Sequence, residues 1–503
     1  MSARRSLYAL VFLAGVGTLA TEICASRLLA PYYGSSTIVW ANIIGLTLAS
    51  LSLGYWLGGR IADRNPSPQL LGRLVLGAAL VVAVIPFVSS PILDVASSGL
   101  DEVSAGAVIG SFFGTLLLFA PPIVLLGMVA PFAIRLALDE VASAGQVAGR
   151  LYALSTVGSL FGTFLPALVT IPLIGTQRTL LVSAALLAAA ASTMLGRRSL
   201  VATAAIAALV LVPPGAVKAS DGHVLYEVES PYQFVQVVER DGVRRLYLNE
   251  GVAVHSLWRP KTVLTGGIWD AFLPLPVLLD RPVHRVAVLG NAGGTIARAY
   301  GEFWPAALID GVEIDPAVSE AGREYLGLRD NPRLTVRDAD ARPFLRRTDA
   351  KYDLIVVDAY HQPYVPFYLA TREFFRLVHR HLAPGGIVAL NVATVPDVRS
   401  LEENLAGTLA TEFESVHVWP VLRFNHVVIG FTNRTQRGLR RYDPRIRSLV
   451  ELLVDGGLSP PVEPLGRPWT DDRAPVEWVT DRMILAYAAE GGRLDEDLLP
   501  TAP

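Results

Sequence analysis

Cysteine is nearly absent from this chain. Cys24 is the one thiol in 503 residues, which excludes an intramolecular disulfide and any cysteine-based zinc site. No metal site is expected. Charge is scarce too: Asp, Glu, Lys and Arg make up 17% of the residues, and the formal net charge is −2. With no basic excess there is no field to attract nucleic acid. Apolar residues fill the space instead. They are 52% of the sequence and the mean hydropathy is +0.42, too high for a soluble protein of this length.

The shortage of charge is uneven. Residues 1 to 217 are nearly uncharged between short loops, whereas 218–503 have an ordinary globular composition. A membrane-spanning helix needs about 20 mostly apolar residues. Runs near 6–30, 36–58, 70–91, 106–134, 151–174, 179–196 and 200–217 predict seven spans in a lipid bilayer. The fourth carries Pro121-Pro122, and the seventh ends at Pro213-Pro214. Arg4-Arg5 starts the chain like a signal peptide, but the apolar run continues through Glu22 and Arg27 without a small-residue cleavage site, so it reads as a retained helix. Gly54/Gly58, Gly110/Gly114 and Gly158/Gly162 are spaced for close helix approach. Glu22 is a carboxylate inside a span, where it is costly. Arg27 is a candidate partner for it, and an ion pair and a ligand or proton site both stay open.

The loop Gly58-Gly-Arg60-Ile-Ala-Asp63-Arg64 resembles the loop between the second and third helices of major facilitator transporters, a match confined to that loop. Basic residues at Arg4, Arg5, Arg60, Arg64, Arg135, Arg150, Arg197 and Arg198 fall at the N-terminus and in alternate loops. The positive-inside rule then makes the N-terminus cytoplasmic in a cell-membrane protein. Seven crossings put 218–503 outside, and six put them inside. The run at 200–217 has 18 residues without a charge, which favours the outside.

In the second half, residues 224–249 alternate like strands around an Asp241-Gly242 hairpin turn. This gives a small β-unit over 218–275, ahead of a Rossmann-like domain over 276–503. Val286–Leu289 reads as a buried strand, Gly290-Asn-Ala-Gly293-Gly294 as a glycine turn, and Glu313 as the acid ending a second strand. A carboxylate there is placed to accept both hydroxyls of a ribose. Further strands are expected at 334–336, 354–357, 387–390, 416–419 and 426–431, the last two as a terminal hairpin. That order is the methyltransferase type of α/β sheet. Asp340 follows the third strand, where it can accept from an adenine amino group. Asp358 ends the fourth, where it can take a proton from a nucleophile.

The stretches Glu229-Ser-Pro-Tyr-Gln233, the Gly290 turn, Val312-Glu-Ile-Asp315, Asp340-Ala-Arg342 and Asp358-Ala-Tyr360 resemble the spermidine synthase (polyamine aminopropyltransferase) family. Tyr364 to Phe374 and Thr470-Asp-Asp-Arg-Ala-Pro-Val-Glu477 resemble its membrane-fused branch. The resemblance implies an adenosyl co-substrate, decarboxylated S-adenosylmethionine or S-adenosylmethionine, and an amine-type acceptor. It implies no tightly bound cofactor and leaves a homodimer open. It assigns the base to Asp358, the ribose acid to Glu313, the adenine-side acid to Asp340 and a donor-side role to Gln233. Gly290, Gly293 and Gly294 would cradle the donor.

The departures fall on the amine side. Ala292 and His361 stand where the family has Asp, Ile268-Trp269-Asp270 replaces a Tyr-His-Glu run, and His255 replaces a Gln. Tyr360, His361, His255 and Asp270 are thus the substrate-side candidates. An S-adenosylmethionine-dependent methyltransferase and a transporter or sensor with an altered nucleoside domain are the alternatives. Asp358 favours an enzyme.

Overall fold

The structure is a computed structural model that describes residues 3–33, 37–98, 106–138, 140, 143–212, 222–249, 253–360, 364–433 and 441–489. Contacts divide the chain into two units. The first comprises Met1–Asp101, Ala105–Ala219 and Glu229–Phe234, and the second is essentially Ser220–Val228 with Val235–Pro503.

The first unit is helical. Its helices are α1 (Ala3–Tyr33), α2 (Thr37–Arg64), α3 (Pro68–Ser98), α4 (Gly106–Leu118), α5 (Ala120–Gly127), α6 (Val129–Ala137), α7 (Ala144–Leu165), α8 (Ile171–Leu195) and α9 (Leu200–Leu209). Five runs among the described residues are long and apolar enough to cross a membrane: Arg4–Tyr33, Thr37–Arg64, Pro68–Leu93, Ala120–Ala137 and Ala144–Leu195. The expected fourth span is broken into α4, α5 and α6, with Pro121-Pro122 at the first turn of α5. The expected fifth and sixth spans form one 52-residue run. A π turn at Pro166–Thr170 joins α7 to α8, and the helix breaks at Gly175 (φ 79°, ψ 167°).

The glycine pairs do what their spacing predicts. A Cβ on Gly158 or Gly162 would lie 2.2 Å from the carbonyl oxygen of Phe12 or Val16, and one on Gly54 would lie 2.4 Å from that of Val124. The same contacts give directions. Positions 158 and 162 advance along α1 with Phe12 and Val16, so α7 is parallel to α1, whereas Leu187 of α8 meets Gly17. Arg27 does not pair with Glu22. Its guanidinium donates to the carbonyls of Ser230 and Pro231 (3.2 and 2.5 Å), while Glu22 stays half-buried on α1.

The second unit carries two sheets. Strands β1 (His223–Glu229), β2 (Phe234–Arg240), β3 (Val243–Leu248) and β4 (Val254–Trp258) are neighbours in chain order. Asp241 and Gly242 both have positive φ (55° and 72°), as a two-residue hairpin with the twist of its strands requires. The fourth strand, which contains His255, goes beyond the expected hairpin.

The larger sheet is built from β5 (Arg285–Leu289), β6 (Leu308–Glu313), β7 (Leu334–Asp338), β8 (Tyr352–Val357), β9 (Leu382–Ala393), β10 (Ser415–Pro420) and β11 (Asn425–Phe431). Their order is β10-β11-β9-β8-β5-β6-β7. β9 through β7 are parallel, and β11 and β10 run antiparallel at one edge. β8, Tyr-Asp-Leu-Ile-Val-Val, is buried along its whole length, the pattern of a parallel strand covered on both faces. α10 (Thr295–Phe303) supplies part of one cover. α12 (Ala341–Arg347), α13 (Arg372–His381), α14 (Ser400–Leu409) and α16 (Val476–Ala489) supply the other. α11 (Pro316–Tyr325) follows β6, capped by Asp315 with Pro316 at its first position. Strand order reverses between β5 and β8, and such a switch point opens a crevice at the strand C-termini.

Candidate active site

Gly290 follows β5 at this switch point. Its φ is 88°, and a Cβ there would lie 2.4 Å from the Asp358 carbonyl oxygen and 2.6 Å from the Ala359 Cα. Glycine thus lets the tips of β5 and β8 meet, and the Asp358 amide donates to the Leu289 carbonyl (2.8 Å). The Gly290 and Asn291 amides both donate to Val312 at the end of β6 (2.9 Å each). Three strand tips are locked together around one turn.

Gly293 and Gly294 serve packing more than an open cradle. Gly293 donates to the Ser256 hydroxyl (2.8 Å), and Gly294, in the left-handed region, would strike Leu328 with any side chain. Ser256 is absent from the residues that the sequence singles out. It ties β4 to the glycine turn, and its only signal in the sequence is its place beside His255.

Glu313 is buried at the tip of β6. One oxygen accepts from the Ala292 amide (2.9 Å) and the other from the Asp315 amide (3.1 Å). Burial outweighs these donors and lifts its carboxyl to about 7. Each oxygen keeps acceptor capacity.

Asp340 caps α12 through the Arg342 amide (2.9 Å) and accepts from the Tyr368 hydroxyl (2.9 Å). This candidate for the adenine side is thus also a helix cap. Tyr368 is held in turn: Arg342 donates to its carbonyl (3.0 Å) and reaches Asp471 with both terminal nitrogens (2.8 and 2.6 Å). Thr371 also donates to Asp471 (2.7 Å). Three motifs far apart in the chain meet here.

Asp358 retains some accessible surface but is enclosed by protein around its carboxyl. Burial pushes it to about 7, against the pull of hydrogen bonds from Asn391 and Trp269. The Asn391 amide nitrogen lies 2.8 Å away. A carboxyl that titrates near neutral pH is suited to proton transfer.

Several substrate-side candidates have other work. Asp270 is a loop staple: it accepts from the Thr265 amide and hydroxyl and from the Gly266 amide at 2.8–3.0 Å. Its neighbour Trp269 is the residue that hydrogen-bonds Asp358. The Tyr360 hydroxyl donates to the Asn391 carbonyl (2.9 Å) and accepts from the Ala393 amide (2.7 Å), so it clamps β9. His255 lies half-buried on β4. His361 lies outside the described residues. Gln233 groups with the helical unit, where its backbone amide donates to the Ser230 hydroxyl (3.0 Å).

Residues 272–418 match the spermine/spermidine synthase domain. A probable polyamine aminopropyl transferase of Bifidobacterium longum is 35% identical over 193 residues, 38% of this chain and 42% of that one, so the chain covers less than half of this relative. A polyamine aminopropyltransferase of Clostridium perfringens is 33% identical over 205 residues, 38% of this chain and 68% of the relative. Polyamine aminopropyltransferase 2 of Ralstonia nicotianae is 26% identical over 425 residues, 77% and 78% of the two chains, and so extends into the helical half. The chain belongs to the spermidine synthase (polyamine aminopropyltransferase) family.

Proposed function

We propose that this protein is a membrane-embedded transferase. It moves an aminopropyl group from decarboxylated S-adenosylmethionine to an amine nitrogen. One observation carries the reading: Glu313 and Asp358, each with a carboxyl near 7, end the two strands that flank the Gly290 turn. Glu313 accepts the ribose hydroxyls and Asp340 the adenine amino group. The acceptor nitrogen attacks the propyl carbon next to the sulfonium. The C–S bond breaks with its electrons going to sulfur, and methylthioadenosine leaves as a neutral thioether. The proton shed by the new ammonium passes to Asp358. Titration near neutral pH lets Asp358 accept that proton and then release it to water.

His361, in place of the family's acceptor-side Asp, and the stapled Asp270 support an acceptor that presents one amine at Asp358 and little positive charge beyond it, since a buried ammonium without a counter-charge is costly. Turnover of butylamine against putrescine tests this. The assignment itself is tested by calorimetry with methylthioadenosine. Glu313→Ala should lose binding, and Asp358→Asn should bind while losing turnover. Unchanged affinity in Glu313→Ala sinks the nucleoside assignment.

The segment Glu229–Phe234 supports an extracytoplasmic location for the synthase-like half. Arg27, near the end of α1, holds its carbonyls, and Thr176, at the start of the second arm of α8, donates to Glu229. Arg4 lies at the other end of α1, and Arg197 at the other end of α8. Arg197 and Glu229 therefore sit at opposite ends of the helical unit, joined in sequence by the segment 198–228. Its helix α9 has ten residues, about 15 Å of rise, with residues 213–221 outside the description. This supports a seventh crossing.

A further inference from the structure

We infer that Asn391 and Asn425 form a fixed amide relay that orients the Asp358 carboxylate, which makes both of them positioning residues. The inference rests on the reading of Asp358 as proton acceptor. Asn391 is 8% exposed and sits near the end of β9, after the apolar run Ile387–Leu390. A primary amide there is costly unless both of its ends are satisfied. They are. Its nitrogen donates to Asp358 (2.8 Å), and its oxygen accepts from the Asn425 amide (3.0 Å).

The register explains the pairing. Asn391 lies opposite Val427, and Asn425 opposite Ala393, so the two asparagines are diagonal neighbours on one face of the antiparallel pair. Tyr360 fixes the backbone around them by bonding the Asn391 carbonyl and the Ala393 amide.

Chemistry alone dictates which way each amide points. An ionised Asp358 only accepts, so Asn391 must present its NH2 there, and its oxygen must then meet a donor. Asn425 is that donor. An aspartate at 425 would reverse the relay: it takes the Asn391 NH2 for itself and turns the Asn391 oxygen against the base. The groups facing Asp358 are the Asn391 amide from β9, the Trp269 indole, and the Tyr360 phenol two residues on, whose field it shares. No Lys, Arg or His stands among the partners described for it.

Asn391→Leu should lower kcat about tenfold or more, the loss expected for a hydrogen bond to a charged group, and leave methylthioadenosine affinity unchanged. The acid limb of its pH–rate profile should move to higher pH, because the lost donor favoured the ionised base. At position 425 the order should be wild type, then Asn425→Ala, then Asn425→Asp as the slowest, although Asp is the closer isostere. Decarboxylated S-adenosylmethionine with butylamine is the probe, on the full chain in detergent.

A second measurement needs no turnover. Thermal unfolding at pH 5 and pH 8 should show Asn391→Leu losing more at pH 8, where the base is ionised. That difference should vanish in an Asp358→Asn background. A pH-independent loss in Asn391→Leu, or Asn425→Asp equal to or faster than Asn425→Ala, overturns the relay. Full turnover in Asp358→Asn would instead overturn the reading of the base.

Discussion

The Arg342 guanidinium grips Asp471 with both terminal nitrogens across 129 residues of chain (2.8 and 2.6 Å). Arg342 belongs to the stretch Asp340-Ala-Arg342, within the matched synthase domain. Asp471 lies beyond that domain's last matched residue, 418. The C-terminal segment therefore braces Tyr368, and Tyr368 holds Asp340. Asp471→Asn should raise the KM for the donor several-fold with little change in kcat. Its stability cost should be about 1 kcal/mol, because the Asp471 side chain is 45% exposed and solvent screens the pair. A drop in kcat at unchanged KM would contradict this.

The pH dependence of activity follows from two buried carboxyls. Glu313 and Asp358 are both lifted to about 7 by burial, and the proposed roles require both in their ionised forms. kcat/KM for the donor should therefore climb between pH 6 and pH 8, with an acid limb steeper than one proton. Asp358→Asn in a binding assay should leave the Glu313 titration alone. A profile flat across this range would exclude both roles.

Stability should run the other way. In the unfolded chain these groups ionise near pH 4, so between about pH 4 and pH 7 the folded state holds more protons. Stability then falls as pH rises through that window. Glu313→Gln removes a buried charge, and should stabilise the protein at pH 8 by on the order of 2 kcal/mol and not at pH 4. Denaturation midpoints at the two pH values decide it.

Gly290 and Gly293 should respond differently to alanine. At Gly290 the new methyl meets backbone at 2.4 Å with φ at 88°, and neither the β8 tip nor the turn can yield. A loss of about 2–4 kcal/mol and of turnover is expected. At Gly293 it meets the side chains of Leu326 and Ser256, which can shift, so the loss should be smaller. Melting curves of the two variants give the comparison.

The side of the membrane has a direct test. Alkaline phosphatase fused after Ala219 should be active if the chain crosses a seventh time. Green fluorescent protein at the same junction should stay dark. Bright fluorescence there would give six crossings and a cytoplasmic domain.

Much of the molecule is legible in local pattern. Apolar runs of span length and glycines four apart predict a close-packed bundle, because lipid demands both. The hydrophobic run before Gly290 and the acids after three others predict a sheet with Glu313, Asp340 and Asp358 at strand ends, because strand period and turn chemistry are local. The partners of those acids are not. Asn391 follows an apolar strand with nothing in its neighbours to mark it. It becomes a partner of Asp358 because β9 lies beside β8, and of Asn425 because β11 pairs with β9 in one register. Asp270 looks available in the sequence until the fold turns Thr265 and Gly266 onto it. Arg27 looks like a partner for Glu22 until Ser230 and Pro231, some 200 positions on, take its guanidinium. A sequence specifies which groups exist and how each segment folds. Which lone pairs are left free for a substrate is decided by contacts between segments, and those exist only once the chain has folded.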